Sequence, residues 1–281
     1  MPKVKNLTLS SVIQSTDVLL TDYPKDRLED VAYLTAMTIV LMGNYSQTGH
    51  FGGPLAYTPY TVATHLLGPE MGGLLYDYRH PKHPFADRFM LAGGHNAPAM
   101  YALWTILGES LARKYEQTGE DKYYVDPKDS FLSIDCLGFR RSQSGLQNML
   151  KDNGLSDHPT MKQAKTRGIR SLAGHSESTD MTNDVNGGPS GIGIATAVGK
   201  AAFWDLLGAG ESPKIMAIEG EFAMTSGHSQ EMKTQAVAQQ VGKRLRILLS
   251  YNNAGIDDEL IGGVIQPQFE SYKIEDQWSS Y

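Results

Sequence analysis

The stretch from Lys214 to Ile256 constrains the fold more than any other part of the chain, because it reads as strand, helix, strand. KIMAI is a short apolar run with β-branched residues. Gly227 opens SQEMKTQAVAQQV, which carries Met232, Ala236, Val237 and Val241 at helical spacing, with Gly242 as the expected C-cap. RLRILLSY is a second strand. Two strands joined through a helix of this length predict a right-handed parallel crossover. The carboxyl ends of both strands then share one sheet edge, where open α/β sheets bind ligands. Glu221 leaves the first strand there, and Asn252 and Asn253 leave the second. Two readings of that convergence stay open. Asn is a common turn former and the group could simply turn the chain. Alternatively, the oxygens ligate a divalent cation whose shell a phosphate completes.

The rest of the chain alternates strands and helices through Gly-rich loops, which predicts an α/β fold: a mostly parallel sheet with helices on both faces. Asp26 to Met42 is a helix with Leu28, Val31, Ala32, Thr35 and Met37 on one stripe, ended by Gly43. A Gly-rich loop with His50 runs into a second helix ending near Gly68. FMLAGGHN is a brief apolar run followed by His95. Asn96 is the expected N-cap of a third helix that ends at Gly119. Residues 120–170 are hard to read, apart from FLSIDCLGF and a polar helix around SGLQNMLKDNG. Beyond His175, Gly187-Gly188-Pro189 leads into a helix with Gly191, Gly193, Ala195, Ala197 and Gly199. That lack of side-chain volume predicts close approach by a backbone or a cofactor.

His50, His95 and His175 each follow a glycine in a loop before a probable helix. Matched contexts predict one shared cleft, suited to polar recognition and proton transfer. The chain has no HxH, HExxH or CxxC spacing for zinc. His65, His80, His83 and His158 are read as surface or structural, and His228 is left open. The formal charge of −6 is spread without long runs, which argues against a nucleic-acid or anionic-membrane surface. The single cysteine, Cys136, excludes an internal disulfide framework and is expected to be a packing thiol. Neither a membrane-length apolar run nor a signal-peptide core is present, so a cytoplasmic location is expected.

Several motifs, taken in order, resemble the N-terminal, thiamine diphosphate-binding domain of transketolases. TGHFGGPL is similar to the family's SGHPGAPL, DRFMLAGGH to DRFVLSNGH, and AGHSE to PGHPE. GGPSGIGIATAVGKA is similar to TGPLGQGxANAVGMA. GEF followed by YNNAGI stands where the family has Gly-Asp-Gly and a later Asn. The resemblance implies a single thiamine diphosphate-binding domain over 1–281, C-terminally incomplete, with an insertion at about 120–165. It implies thiamine diphosphate with Mg²⁺ or Ca²⁺ as cofactors. Glu221, Asn253 (Asn252 if the alignment slips by one) and the Gly255 carbonyl are the implied metal ligands. Implied cofactor contacts are His95, Gly187, Gly188, Pro189, Gly220, Glu221, Phe222 and Asn253, and implied catalytic groups are His50, His95 and His175. The cofactor itself carries the difficult carbanion chemistry.

The departures fall at the metal carboxylate: Glu221 replaces Asp, and Phe222 replaces the second Gly. Ser190 and Ser176 also depart from the family motifs. The family's second domain, which supplies an activating glutamate, is not expected within this length. The implied activity is transfer of a two-carbon ketol unit between sugar phosphates, by a fragment or split subunit inactive on its own. Its implied partners are a sugar phosphate and the C-terminal transketolase domains or a partner subunit, in a homodimer or hetero-oligomer. Other thiamine diphosphate enzyme halves (phosphoketolase, deoxyxylulose-phosphate synthase, 2-oxo-acid dehydrogenase component) and a degenerate scaffold remain as alternatives.

Overall fold

The computed structural model describes residues 24–155, 167–189, 191–210 and 213–252. Its helices and strands run, in chain order, α1 (Leu28–Ser46), α2 (Gly52–Leu66), β1 (Arg88–Leu91), α3 (Ala97–Thr118), α4 (Gln143–Asp152), α5 (Ile192–Leu206), β2 (Ile215–Gly220), α6 (Gly227–Ala238) and β3 (Leu245–Ser250). The fold is α/β, with a parallel sheet flanked by helices. The chain divides into two compact units: Met1–His83 with His95–Ser176, and Pro84–Gly94 with Glu177–Tyr281.

In the first unit α1, α2 and α3 pack on one another. The buried positions of α1 are Val31, Thr35, Ile39, Met42 and Ser46, at helical spacing. Met37, expected on that stripe, is exposed. The helix also runs through Gly43 rather than ending there. A Cβ on Gly43 would come within 3.1 Å of the Phe51 ring, so this glycine serves packing, and Gln47 takes the left-handed C-terminal position at φ 54°. Asn96 does not cap α3 through its side chain. Its backbone lies at φ −83°, ψ 9°, outside the extended region that N-caps adopt, because it closes a 3-10 turn over Gly94–Asn96. Gly119 does end α3, at φ 66°.

The segment after α3 is fastened to it through a few polar groups. Tyr78 Oη donates to the Trp104 carbonyl at 3.1 Å and accepts the Phe131 N–H at 3.2 Å. Asp135 is fully buried and accepts both terminal nitrogens of Arg167, at 3.0 and 2.6 Å, and the N–H groups of Arg170 and Leu132. That many donors answer the polar groups of a buried carboxylate. Within FLSIDCLGF, Ser133–Gly138 form a 3-10 helix around this carboxylate.

The second unit holds the sheet, in order β1-β2-β3 and parallel throughout. Ile215 pairs with both Arg88 and Leu245, and the register runs to Gly220 opposite Ser250. The central strand is buried on both faces along Ile215–Glu219, as the apolar run requires. Helix α5 packs against all three strands and against α6. The predicted crossover from β2 through α6 to β3 is therefore present as a parallel pair. Its helix stops earlier than expected: Ala238 is the last helical residue, and Gln240, not Gly242, takes the left-handed turn at φ 52°. Val241 is buried in the 3-10 turn that follows. That burial is what pulls the chain out of the helix.

Candidate functional site

The three Gly-His loops meet within the first unit. The ring centroid of His50 lies 5.3 Å from that of His95 and 6.0 Å from that of His175, both edge-on. His50 precedes α2, His95 sits in the turn before α3, and His175 follows Gly174. Gly53 explains part of the motif: a Cβ there would overlap the Asn96 carboxamide. The start of α2 can therefore close on the turn that carries His95. Asn96 Nδ2 in turn contacts His95 Nε2 at 3.3 Å.

Burial, with the neighbouring His50 and His175, lowers the pKa of His95 to about 4. His175 is also held below its ordinary value, by burial, by His50 and by Arg140. Both rings are thus neutral near pH 7, and a neutral imidazole offers one donor and one acceptor. Arg140 was not singled out by sequence reasoning. It lies in the stretch with least periodicity, and nothing in its immediate sequence marks it. Its Nη2 lies 3.5 Å from His50 Nδ1, and its Nη1 donates to Thr48 Oγ1 at 3.4 Å.

A second set of groups lies at the carboxyl edge of the sheet in the second unit. Glu221 opens a 3-10 turn directly after β2 and is 1% exposed. Its Oε1 accepts the Asn252 N–H at 2.9 Å, which ties the end of β2 to the end of β3. In this contact the Glu221 carboxylate thus meets the backbone of Asn252, not a carboxamide. Asn253 and Gly255 lie outside the described residues, as does Ser190. Gly187 is buried and its backbone abuts Gly94, where a Cβ would overlap the Gly187 carbonyl. Gly188 and Pro189 are exposed, and a Cβ on Gly188 would meet nothing within 4 Å. Gly220 donates its N–H to Glu219 Oε1 at 3.0 Å, and Phe222 packs on the core beneath the sheet edge.

Glu219 is the group that sequence reasoning missed here, although a carboxylate inside the apolar run IMAIEG was a visible anomaly. It is 1% exposed, and its Oε2 has no partner among the described residues. Burial pushes its pKa up to about 7, opposed by the N–H groups of Gly220 and Gly191. Gly191 stands at φ 81°, and a Cβ there would strike the hydroxyls of Ser226 and Ser229, which order the start of α6.

The remaining candidates are placed plainly. His65 is fully buried, and His228 is exposed in the first turn of α6. The Cys136 thiol lies 3.7 Å from Thr105 Oγ1, and burial pushes its pKa up to about 11, so it is a poor nucleophile near neutrality. Among the described residues, no three or more His, Cys, Asp or Glu side chains are arranged to hold a metal ion. No helix among them is long and apolar enough to cross a membrane.

No family model matches the chain, and no curated protein matches it. Among solved structures, it is similar to the transketolase from Campylobacter jejuni subsp. jejuni NCTC 11168, with a TM-score of 0.56 and 19% sequence identity. The match covers 92% of this chain and 35% of that one. At this identity the likeness is one of fold.

Proposed function

We propose that this chain is the part of a transketolase-like enzyme that binds thiamine diphosphate through its diphosphate and a divalent metal. The reaction is transfer of a two-carbon ketol unit between sugar phosphates. The observation that carries the reading is the meeting of three imidazoles from separate Gly-His loops, together with the transketolase-like fold. Neutral His95 and His175, and the accessible His50, have the donors and acceptors to grip the hydroxyls and carbonyl oxygen of a ketose.

The sheet edge of the second unit fits a metal diphosphate in donor type. Glu221 offers a carboxylate, Mg²⁺ prefers oxygen ligands, and the orphaned Oε2 of Glu219 is a buried acceptor awaiting a donor or cation. Asn253 and Gly255 are the further ligands in this proposal, and the open face of Gly188 leaves room for a ring beside its backbone. When bound, thiamine diphosphate supplies the nucleophilic carbon and the electron sink. This chain's residues hold it, orient the donor and exchange protons with its oxygens. Activity is proposed to require C-terminal transketolase domains or a partner subunit.

One observation favours a second reading, a scaffold domain: Glu221 Oε1 is already engaged by the Asn252 N–H, as in a purely structural tie. Isothermal titration with thiamine diphosphate, with and without Mg²⁺, decides between them. Mg²⁺-dependent binding that Glu221→Ala weakens at least tenfold is the expected result. Absence of binding under both conditions, and with the C-terminal domains of a transketolase added, would leave only the scaffold.

A further inference from the structure

We propose that Arg140 is a positioning residue for the histidine cluster: it donates from Nη2 to His50 Nδ1, so that His50 turns an Nε2–H donor outward, and it sets its fixed charge beside the loop that carries His175. The inference deepens the functional reading above and rests on it for the cluster's purpose, but its geometry stands alone. Arg140 is delivered with unusual firmness for an exposed side chain. Its N–H donates to the Leu172 carbonyl at 2.8 Å, and Phe139 pairs with Leu172 in an isolated parallel bridge. Its own backbone sits at φ 53°, a left-handed conformation that a residue with a Cβ rarely adopts. Such strain persists only where surrounding structure enforces it.

The guanidinium then lies over Gly174, where any Cβ would collide with it, and so next to the residue that carries His175. The Phe139 ring supports it from 5.9 Å. Thr48 and His50, its hydrogen-bond partners, belong to the first Gly-His loop. One side chain therefore touches two of the three loops. Among the described residues no carboxylate pairs with Arg140, so its positive charge is not cancelled locally. A guanidinium has no acceptor and never loses its proton, so a neutral ring at His50 must present Nδ1 as the acceptor. The groups facing His50 are His95, His175 and Arg140; those facing His175 are His50 and Arg140.

Histidine-selective ¹⁵N NMR of the whole chain, assigned with single His→Gln variants, tests this without cofactor or turnover. In Arg140→Gln the His175 titration midpoint is expected to rise, and the unprotonated Nδ1 signal of His50 to move to the position of a ring without a hydrogen bond. Arg140→Lys, which keeps the charge, is expected to return the His175 midpoint close to the parent value; a merely structural role would not follow charge in this way. Arg140→Asn repeats the neutral substitution with a residue that, among those with a Cβ, tolerates positive φ well, so loss of folding does not stand in for loss of function. Unchanged His50 and His175 signals in the neutral variants would overturn the proposal, as would a Lys variant that titrates like the Gln variant. Thiamine diphosphate titrated into the same samples with Mg²⁺ and the C-terminal domains of a transketolase separates the two ideas: failure to bind there removes the functional reading and leaves the titration result intact.

Discussion

His65 sits at the end of α2, fully buried against Tyr76 and Trp104, with Nδ1 2.7 Å from the Thr61 carbonyl. Burial lowers its pKa from 6.5 to about 4. The unfolded chain therefore binds a proton between those values that the folded chain does not. Stability is at its full value above pH 6.5 and falls as pH drops toward 4, by about 3 kcal/mol for this group alone. His95, held near the same value, adds to the loss in the same window. Thermal midpoints measured from pH 8 to pH 4 should fall steeply across it, and His65→Gln should flatten the slope. A parent profile level between pH 6.5 and 4 would contradict this account. At this scale the matched Gly-loop contexts picked out three histidines, and those three do come together. It did not show Arg140, because a lone arginine in an aperiodic stretch carries no local signal of where its guanidinium goes. Nor was Asn96 legible as a turn residue, since Asn before Ala-Pro has the chemistry of a cap whether or not the backbone adopts one.

Helix α5 is where small residues have different jobs at neighbouring turns. A Cβ on Gly193 would overlap the Ala92 backbone at the end of β1, whereas one on Gly199 meets nothing within 4 Å. The close approach expected of this helix is thus made, at Gly193, by the chain's own strand. Gly193→Ala should destabilise by about 1–3 kcal/mol through forced separation of α5 from the sheet. Gly199→Ala should be neutral or stabilising by up to about 1 kcal/mol, because it removes backbone freedom from the unfolded chain. Urea midpoints of the pair test the contrast. At the start of β3, Arg244 is fully buried and donates to Asp205 Oδ1 at 2.9 and 2.8 Å and to the Pro213 carbonyl at 2.7 Å. Arg244→Ala leaves those acceptors unanswered and should cost about 3–5 kcal/mol. Elements were legible where a period was strong, as in α1, α3 and β2. Gly119 ended α3 as expected, but the ends of α1 and α6 were not legible, because Gln47 and Gln240 took left-handed positions that glycine was expected to fill.

For the whole molecule, a ligand that binds only the folded chain raises its stability by mass action. Thiamine diphosphate at about one hundred times its Kd should add about 2.7 kcal/mol. For a chain of this size that is a rise of roughly 5–10 °C in Tm, visible with Mg²⁺ and lost with EDTA. An equal rise without metal would detach the diphosphate from Glu221. The α/β class followed from the alternation of strands and helices, and the sheet edge followed from one crossover. Residues 120–155 stayed opaque because polar anchors such as Asp135, rather than a repeating apolar face, hold them. The two borders of the sheet differ. On the outer side of β1, Asn183 Oδ1 accepts the Leu91 N–H and the Asp184 N–H donates to the Phe89 carbonyl, so a short irregular segment occupies that margin. Among the described residues the order ends at β3 on the other side. The sheet is therefore a one-way template: β1 is blocked against strand addition, and any strand that lengthens the sheet, from this chain or another, must enter beside β3.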